Sequence, residues 1–210
     1  MKKISLSLLL LVPLVAYGQF GIKAGLNFSN VTNTSQITNN NETGYNVGIF
    51  LEPKSKSILS SKTELIFSKQ GYNYTTGSVT GNADLMYLML PTYMCINITR
   101  FFQIHIGAQM AYLINAKADS TSTSGTSYPF SDALQYYNRF DYGFGGGVEV
   151  HPFKGLLIGT RINISLAKLY SDAAKGQMPS LASVDVKQNL FQIYAGWHFG
   201  KQPPSKKNGG

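Results

Sequence analysis

Charge is scarce in this sequence. Asp, Glu, Lys and Arg make up 13% of it, where roughly 25% is usual for a soluble domain, so much of the surface has to do without a charged skin. Cysteine is scarcer still. Cys95 stands alone, which excludes an internal disulfide and offers no metal-site spacing. Long apolar runs are absent too: the run from Leu8 to Val15 falls well short of the ~20 residues a membrane-spanning helix needs. No run of Lys and Arg exceeds two residues, so the net charge of +8, or +6 without Lys2 and Lys3, is not gathered into a patch. A nucleic-acid partner is therefore not expected. Helical apolar spacing is also missing from the chain beyond its first residues.

What is present is a leader followed by alternation. Residues 1–18 carry two lysines, the apolar run and the small residues Ala16 and Gly18, the layout of a secretory signal peptide. Residues 19–200 then read as one domain and 201–210 as a flexible tail. The domain holds eight segments of strand-like period two: residues 20–29, 43–52, 58–72, 84–97, 101–115, two arms within 139–166, and 188–199. In the 139–166 hairpin Tyr142, Phe144, Val148 and Val150 share one parity, and Asp141, Gly143, Gly145, Gly147 and Glu149 share the other. A turn centred near Phe153 in His151-Pro152-Phe153-Lys154-Gly155 preserves that parity and sets Gly145 opposite Arg161. The segment at 84–97 is apolar on both parities, and Pro91 suggests a bulge there. In 43–52, Phe50 breaks the pattern.

Connection lengths alternate. Short links join the second segment to the third, the fourth to the fifth and the sixth to the seventh, whereas residues 30–42, 71–83, 116–138 and 167–187 are long and rich in Asn, Ser, Thr and Gly. Short turns at one rim and four long surface loops at the other, on an even number of strands, is the plan of an outer-membrane barrel. The expected fold is all-β, an eight-stranded antiparallel up-and-down transmembrane β-barrel, with both termini in the periplasm.

Alternation alone fits a secreted lipocalin-like carrier as well, with the apolar face lining a cavity. The glycines decide against it: Gly21, Gly25, Gly48, Gly107, Gly145 and Gly196 fall on the polar face, where they would weaken exposed strands but would make room inside a narrow barrel. Gly48 is expected opposite Lys62. Lys23, Lys62, Glu64, Asp141, Glu149 and Arg161 then share the inward parity and form a lumen charge network, since isolated charges there would cost several kcal/mol. Phe20, Phe28, Tyr45, Tyr142, Trp197 and Phe199 face outward near strand ends, as an aromatic girdle. The network is expected to be a structural filling that leaves no open channel.

Two motifs invite chemistry without supporting it. Gly143-Phe144-Gly145-Gly146-Gly147 is rich enough in glycine to cradle phosphate, but it lies within a strand and opens no helix. His105, His151 and His198 come from separate segments with no metal-ligand spacing. Neither enzymatic activity, nor a cofactor, nor a bound metal is expected.

The first-strand Gly21-Ile22-Lys23-Ala24-Gly25-Leu26-Asn27, the Tyr87-Leu88-Met89-Leu90-Pro91 of the fourth segment, the glycine-rich sixth and the closing Ile193-Tyr194-Ala195-Gly196-Trp197-His198-Phe199 resemble the PorT-like outer-membrane β-barrel family of Bacteroidota. The resemblance spans nearly all of the mature chain. It implies a barrel in the cell outer membrane and, through one member of the family, a possible accessory role in type IX secretion. A structural or adhesive role is the leading expectation, with outer-membrane lipid around the barrel, a protein or glycan ligand at the surface loops, and a monomeric state.

Overall fold

A computed structural model describes residues 18–32, 38–53, 57–76, 79–122, 127–130, 133–172, 174 and 186–199. The leader through residue 17 and the tail at 201–210 lie outside the described residues. Among the described residues nine strands form: β1 Gly18–Thr32, β2 Thr38–Pro53, β3 Leu59–Thr76, β4 Val79–Asn97, β5 Phe102–Ser122, β6 Ser127–Phe130, β7 Phe140–Val150, β8 Leu156–Ser165 and β9 Lys187–Phe199. Every neighbouring pair is antiparallel. Pairing of β1 with β9 and of β4 with β5 closes eight of them into a barrel, and β6 adds only to the outer end of β5.

The register fixes the barrel's dimensions. From Asn30 the pairs run through Asn189, Ile164, Phe144, Ala108, Thr92, Thr63 and Leu51 and return to β1 at Phe20, ten residues lower. Eight strands with that stagger tilt at about 35–45° and enclose a space that facing side chains can fill.

The two faces are sorted as alternation demands. Ile22, Leu26, Val47, Ile49, Ile106, Met110, Ile158, Ile162 and Ile193 are exposed on the outside, while Lys23, Asn27, Lys62, Glu64, Glu149, Arg161 and Gln192 are buried within. The outward aromatic residues fall in two bands. Phe20 stacks on Phe199 at a centroid distance of 5.7 Å beside Trp197 at the short-turn rim, and Phe28 lies 6.1 Å from Phe191 towards the other rim with Tyr45 and Tyr142. Among the described residues no helix is long and apolar enough to cross a membrane; the crossing is made by strands.

The register differs from the sequence expectation in specific places. Gly145 faces Asn163, and it is Gly147 that faces Arg161. The turn is centred one residue later than expected, because Gly155 adopts φ +91° and so carries the reversal. Moving the centre by one residue moves the partner by two, so parity survives. Gly48 faces Ile66, not Lys62, which is paired with Tyr93 on the other side of β3. Pro91 causes no bulge: β3 and β4 keep one register from Thr63↔Thr92 to Ile66↔Met89. The shift comes at Met86/Tyr87, opposite one extra residue in β5, where Ile114 and Asn115 are both exposed. Phe50 is buried, with its ring over the bare Cα of Gly21, where a Cβ would collide with it.

Strand length is lopsided. β7 and β8 have 11 and 10 residues, about what a tilted strand needs to cross hydrocarbon. β3, β4 and β5 have 18, 19 and 21 residues and share their lower limit with the others, so they rise beyond the outer rim as a wall. Much of the sequence expected as long loops is therefore ladder: Tyr72↔Ala83 to Thr76↔Val79 joins β3 to β4, and Val79↔Ser122 to Leu85↔Ala116 joins β4 to β5. The two loops on the low side fold inward. Ala133, Tyr137, Leu169, Tyr170, Ala174 and Val186 are buried against Leu85, Tyr87 and Leu113 of the wall and form an apolar cap. The expected surface loop at 116–138 is in part core: Ala116, Ala118, Ala133 and Tyr137 are buried.

Ile106 lies on the outer face midway along the membrane-crossing part of β5 and is 55% exposed to the surroundings of the barrel. Ile106→Arg is expected to destabilise the barrel in a bilayer by about 2–4 kcal/mol. Urea unfolding in lipid vesicles checks this; an unchanged midpoint would place Ile106 outside the hydrocarbon.

Candidate functional site

The interior is built in layers, beginning at the short-turn end with charge. Glu64 on β3 accepts two hydrogen bonds from Arg161 on β8, at 2.8 and 2.9 Å, and one from Lys23 Nζ on β1 at 2.9 Å. Such a forked pair is the strongest geometry open to these groups. Arg161 Nε donates to His105 Nε2 at 3.1 Å, which uses that imidazole nitrogen as an acceptor. The guanidinium also lies 4.1 Å from the centre of the Tyr93 ring, and Lys23 Nζ lies 3.7 Å from that of Tyr194.

A second cluster sits nearer the mouth. Lys62 donates to Glu149 and to Gln103 Oε1, the latter at 3.2 Å, and its ammonium lies 3.2 Å from Glu52. Tyr194 joins the two clusters, accepting from Arg161 at 3.4 Å and donating to Glu149 at 2.8 Å. The joined network holds Lys23, Lys62 and Arg161 against Glu52, Glu64 and Glu149. Charge balances within it, as burial requires.

Above the charges comes a layer of amides and hydroxyls. Asn27 Oδ1 accepts from Asn46 at 2.8 Å and Gln192 at 2.9 Å, Asn27 Nδ2 donates to Ser68 at 2.8 Å, and Gln192 Oε1 accepts from Asn163 at 3.0 Å. One layer thus ties β1, β2, β3, β8 and β9. The apolar cap closes the outer end, with the Tyr72 hydroxyl bonded to those of Tyr137, at 2.7 Å, and Tyr170.

Five of the six residues expected in the network are brought together: Lys23, Lys62, Glu64, Glu149 and Arg161. Asp141 is not among them. It lies near the outer end of β7, where it accepts a hydrogen bond from Ser165 and lines a small recess with Tyr87, Asn138 and Gln188. The tilt of the strands carries it up and away from the basic residues, which period two cannot reveal. Glu52 takes its place. Its inward parity was legible, as was that of Tyr194 and Gln103, but which strands face each other across the lumen was not.

The glycine run 143–147 lies inside β7, as a strand. His105 is in the network, whereas His151 and His198 stand at the mouth with ring centroids 5.7 Å apart. His151 Nε2 is 3.8 Å from Glu149 and His198 Nε2 is 3.6 Å from Glu52. Burial pushes the His151 imidazole below its usual range, so it adds no charge to the balance at neutral pH.

An apolar skin, two aromatic bands, short turns at one rim and a closed eight-stranded ladder around a filled polar interior define an outer-membrane β-barrel protein. The chain belongs to the family described as outer membrane protein beta-barrel domain, whose model matches residues 16–171. No curated protein matches the sequence. Among solved structures it is similar to Ail, the attachment invasion locus protein of Yersinia pestis, with a TM-score of 0.50 and 16% identity over 87% of this chain and 99% of that one. Neisserial surface protein A gives 0.48 and 12% over 86% and 97%, and OprG of Pseudomonas aeruginosa gives 0.45 and 12% over 88% and 97%. At these identities the likeness concerns the fold, and the protein resides in the outer membrane.

Removing Arg161 leaves Glu64 with Lys23 alone in a dry interior. Arg161→Ala is expected to cost about 3–5 kcal/mol, whereas Lys69→Ala, which breaks the partly exposed 2.9 Å pair with Asp84, should cost under about 1 kcal/mol. Urea unfolding of both variants in vesicles measures the contrast. Equal effects would remove the case for a network that holds the lumen together.

Proposed function

We propose that the protein is a non-enzymatic, non-conducting barrel whose working surface is the wall raised by β3, β4, β5 and β6, a structural or adhesive platform presented to the outside of the cell. The observation that carries this reading is the closed interior: charge, amide and apolar layers occupy the lumen in turn, so solute passage is not what the scaffold serves. The wall, by contrast, stands about eight to ten residues beyond a crossing strand, roughly 30 Å measured along the chain. Its ligand is a protein or a glycan, reached from the outer side.

Two measurements test it. Planar bilayers containing the purified protein should show no stepwise conductance above leak. Replacing residues 119–130 by a short Gly-Ser turn should abolish binding of protein-displaying cells to glycan- or protein-coated surfaces, while the barrel still shifts on a gel when boiled. Conductance, or binding that survives the shortened wall, would contradict the proposal.

The PorT-like resemblance supports a second reading, an accessory of secretion working from the periplasmic side. One observation favours it: Phe153, Ile58 and Ile98, at the short turns, are 71%, 68% and 56% exposed beside Arg100 and Lys154. A photo-crosslinker at Phe153 in intact cells should then capture one discrete periplasmic protein. Adducts with lipid alone would assign these side chains to the inner-leaflet interface.

A further inference from the structure

The two connections that fold over the outer end of the lumen meet at one residue pair. Tyr137, on the chain that leads into β7, and Tyr170, on the chain that leaves β8, form an isolated antiparallel bridge. The residues on either side make its backbone bonds: Asn138 N donates to Leu169 O at 2.9 Å, and Ser171 N donates to Tyr136 O at 2.9 Å. Tyr137 and Tyr170 are therefore a non-hydrogen-bonded pair, the arrangement that brings opposed side chains closest. Their ring centres lie 5.3 Å apart, with the planes 32° from parallel. Both hydroxyls are drawn to a single oxygen, that of Tyr72 on β3. The ortho carbons flank the hydroxyl on each ring, so the contact that gathers the oxygens also gathers the carbons through which phenoxyl radicals couple.

We infer that Tyr137 and Tyr170 are a site of oxidative modification, at which a peroxide-class oxidant joins the two rings as dityrosine and staples the cap. Each phenol gives up one electron and its hydroxyl proton. The two radicals form one C–C bond between ortho carbons, and the hydrogens on those carbons move to the oxygens as the rings regain aromaticity. The O–O bond of the oxidant breaks on accepting the two electrons; hydrogen peroxide takes the two protons as well and leaves as two molecules of water. Tyr72 has one hydroxyl proton to give, so at least one of its two bonds is donated to it, and the phenol that donates has a proton acceptor in place when its electron leaves. The pair is only 5% and 7% exposed, which shields its radicals from a second chain. The new bond closes the segment that contains β7 and β8, and a cross-link of that kind removes conformational freedom from the opened chain. Nothing here depends on what the wall binds.

The test uses the full mature chain in vesicles of saturated phosphatidylcholine. Persulfate is the peroxide, and a ruthenium tris-bipyridyl complex under light delivers its oxidising equivalents singly. Trypsin then releases residues 118–139 and 169–175. The expected result is dityrosine emission from the monomeric band and a linked pair of these peptides, two hydrogens lighter than the separate peptides together, with fragmentation placing the link at Tyr137 and Tyr170. Tyr137→Phe and Tyr170→Phe keep the rings and should each abolish the linked pair, whereas Tyr136→Phe, one residue away, should retain it. The exposed Tyr45, Tyr112 and Tyr142 set the contrary expectation, since coupling governed by access alone would run between chains through them. Cross-links chiefly between chains, a linked pair that survives either substitution, or no linked pair under light that couples a free tyrosine peptide in the same tube would each overturn the inference. Boiling-dependent gel migration confirms that every variant compared is folded.

Discussion

Hydrocarbon offers backbone amides and carbonyls no partner, so a chain that crosses it with strands has to close its ladder on itself. Eight strands staggered by ten residues are the closed ladder found here, and the narrow space within governs the rest. An inward side chain cannot turn to water. Long cations need anions within reach, which places Glu64 between Arg161 and Lys23 and places Lys62 between Glu149 and Glu52. Volume is equally constrained: the Phe50 ring fits because Gly21 faces it without a side chain.

The hydrophobic pattern turns inside out along β4 and β5. At membrane depth Leu88, Leu90, Ile106 and Met110 point outward into lipid, while Glu64, His105 and Gln192 fill the inside. Higher up the outer face meets water, where Lys117 and Asp119 are exposed, and the inner face becomes apolar, with Ala83, Leu85, Ala116 and Ala118 buried. A sheet wet on one side needs an apolar core on the other, and Ala133, Tyr137, Leu169, Tyr170 and Ala174 supply it. The doubly apolar stretch of β4 is thus the overlap of two surfaces, one selected by lipid and one by a core. The extra residue in β5 falls near this boundary, where the polarity of each face changes hands.

This inversion also explains what the sequence could convey. Period two identifies the face of nearly every residue in β1, β5, β7, β8 and β9, because each meets lipid on one side and the lumen on the other. The same parity puts Glu52, Gln103 and Tyr194 inside without showing what they touch. Contacts across the lumen depend on stagger, which emerges only when all eight registers are summed; Asp141 shares parity with Glu149 yet lies eight residues higher on a tilted strand. The turn after β7 shows the same limit on a small scale. Pro152 and Gly155 mark a reversal, but the choice of its central residue depends on which position takes the left-handed conformation, and Gly155 takes it. The inward-folding loops were illegible for another reason: Tyr137, Leu169, Tyr170 and Ala174 have no regular spacing, and only the wall they meet gives them a common face.

The lopsided rim has a physical logic of its own. β7 begins and β8 ends near the outer band of aromatic residues, so the chain that precedes the one and follows the other lies close to the lipid surface and can fold over the lumen. Asn138 binds the backbone carbonyls of Lys168 and Tyr170, and Asn138 N donates to Leu169 O, which stitches the two connections to each other before either meets the wall. The tall side needs no such cover, since β3, β4 and β5 satisfy one another's backbone groups through continuous pairing. One side of the rim is therefore a rigid sheet in water and the other a low step at the membrane surface.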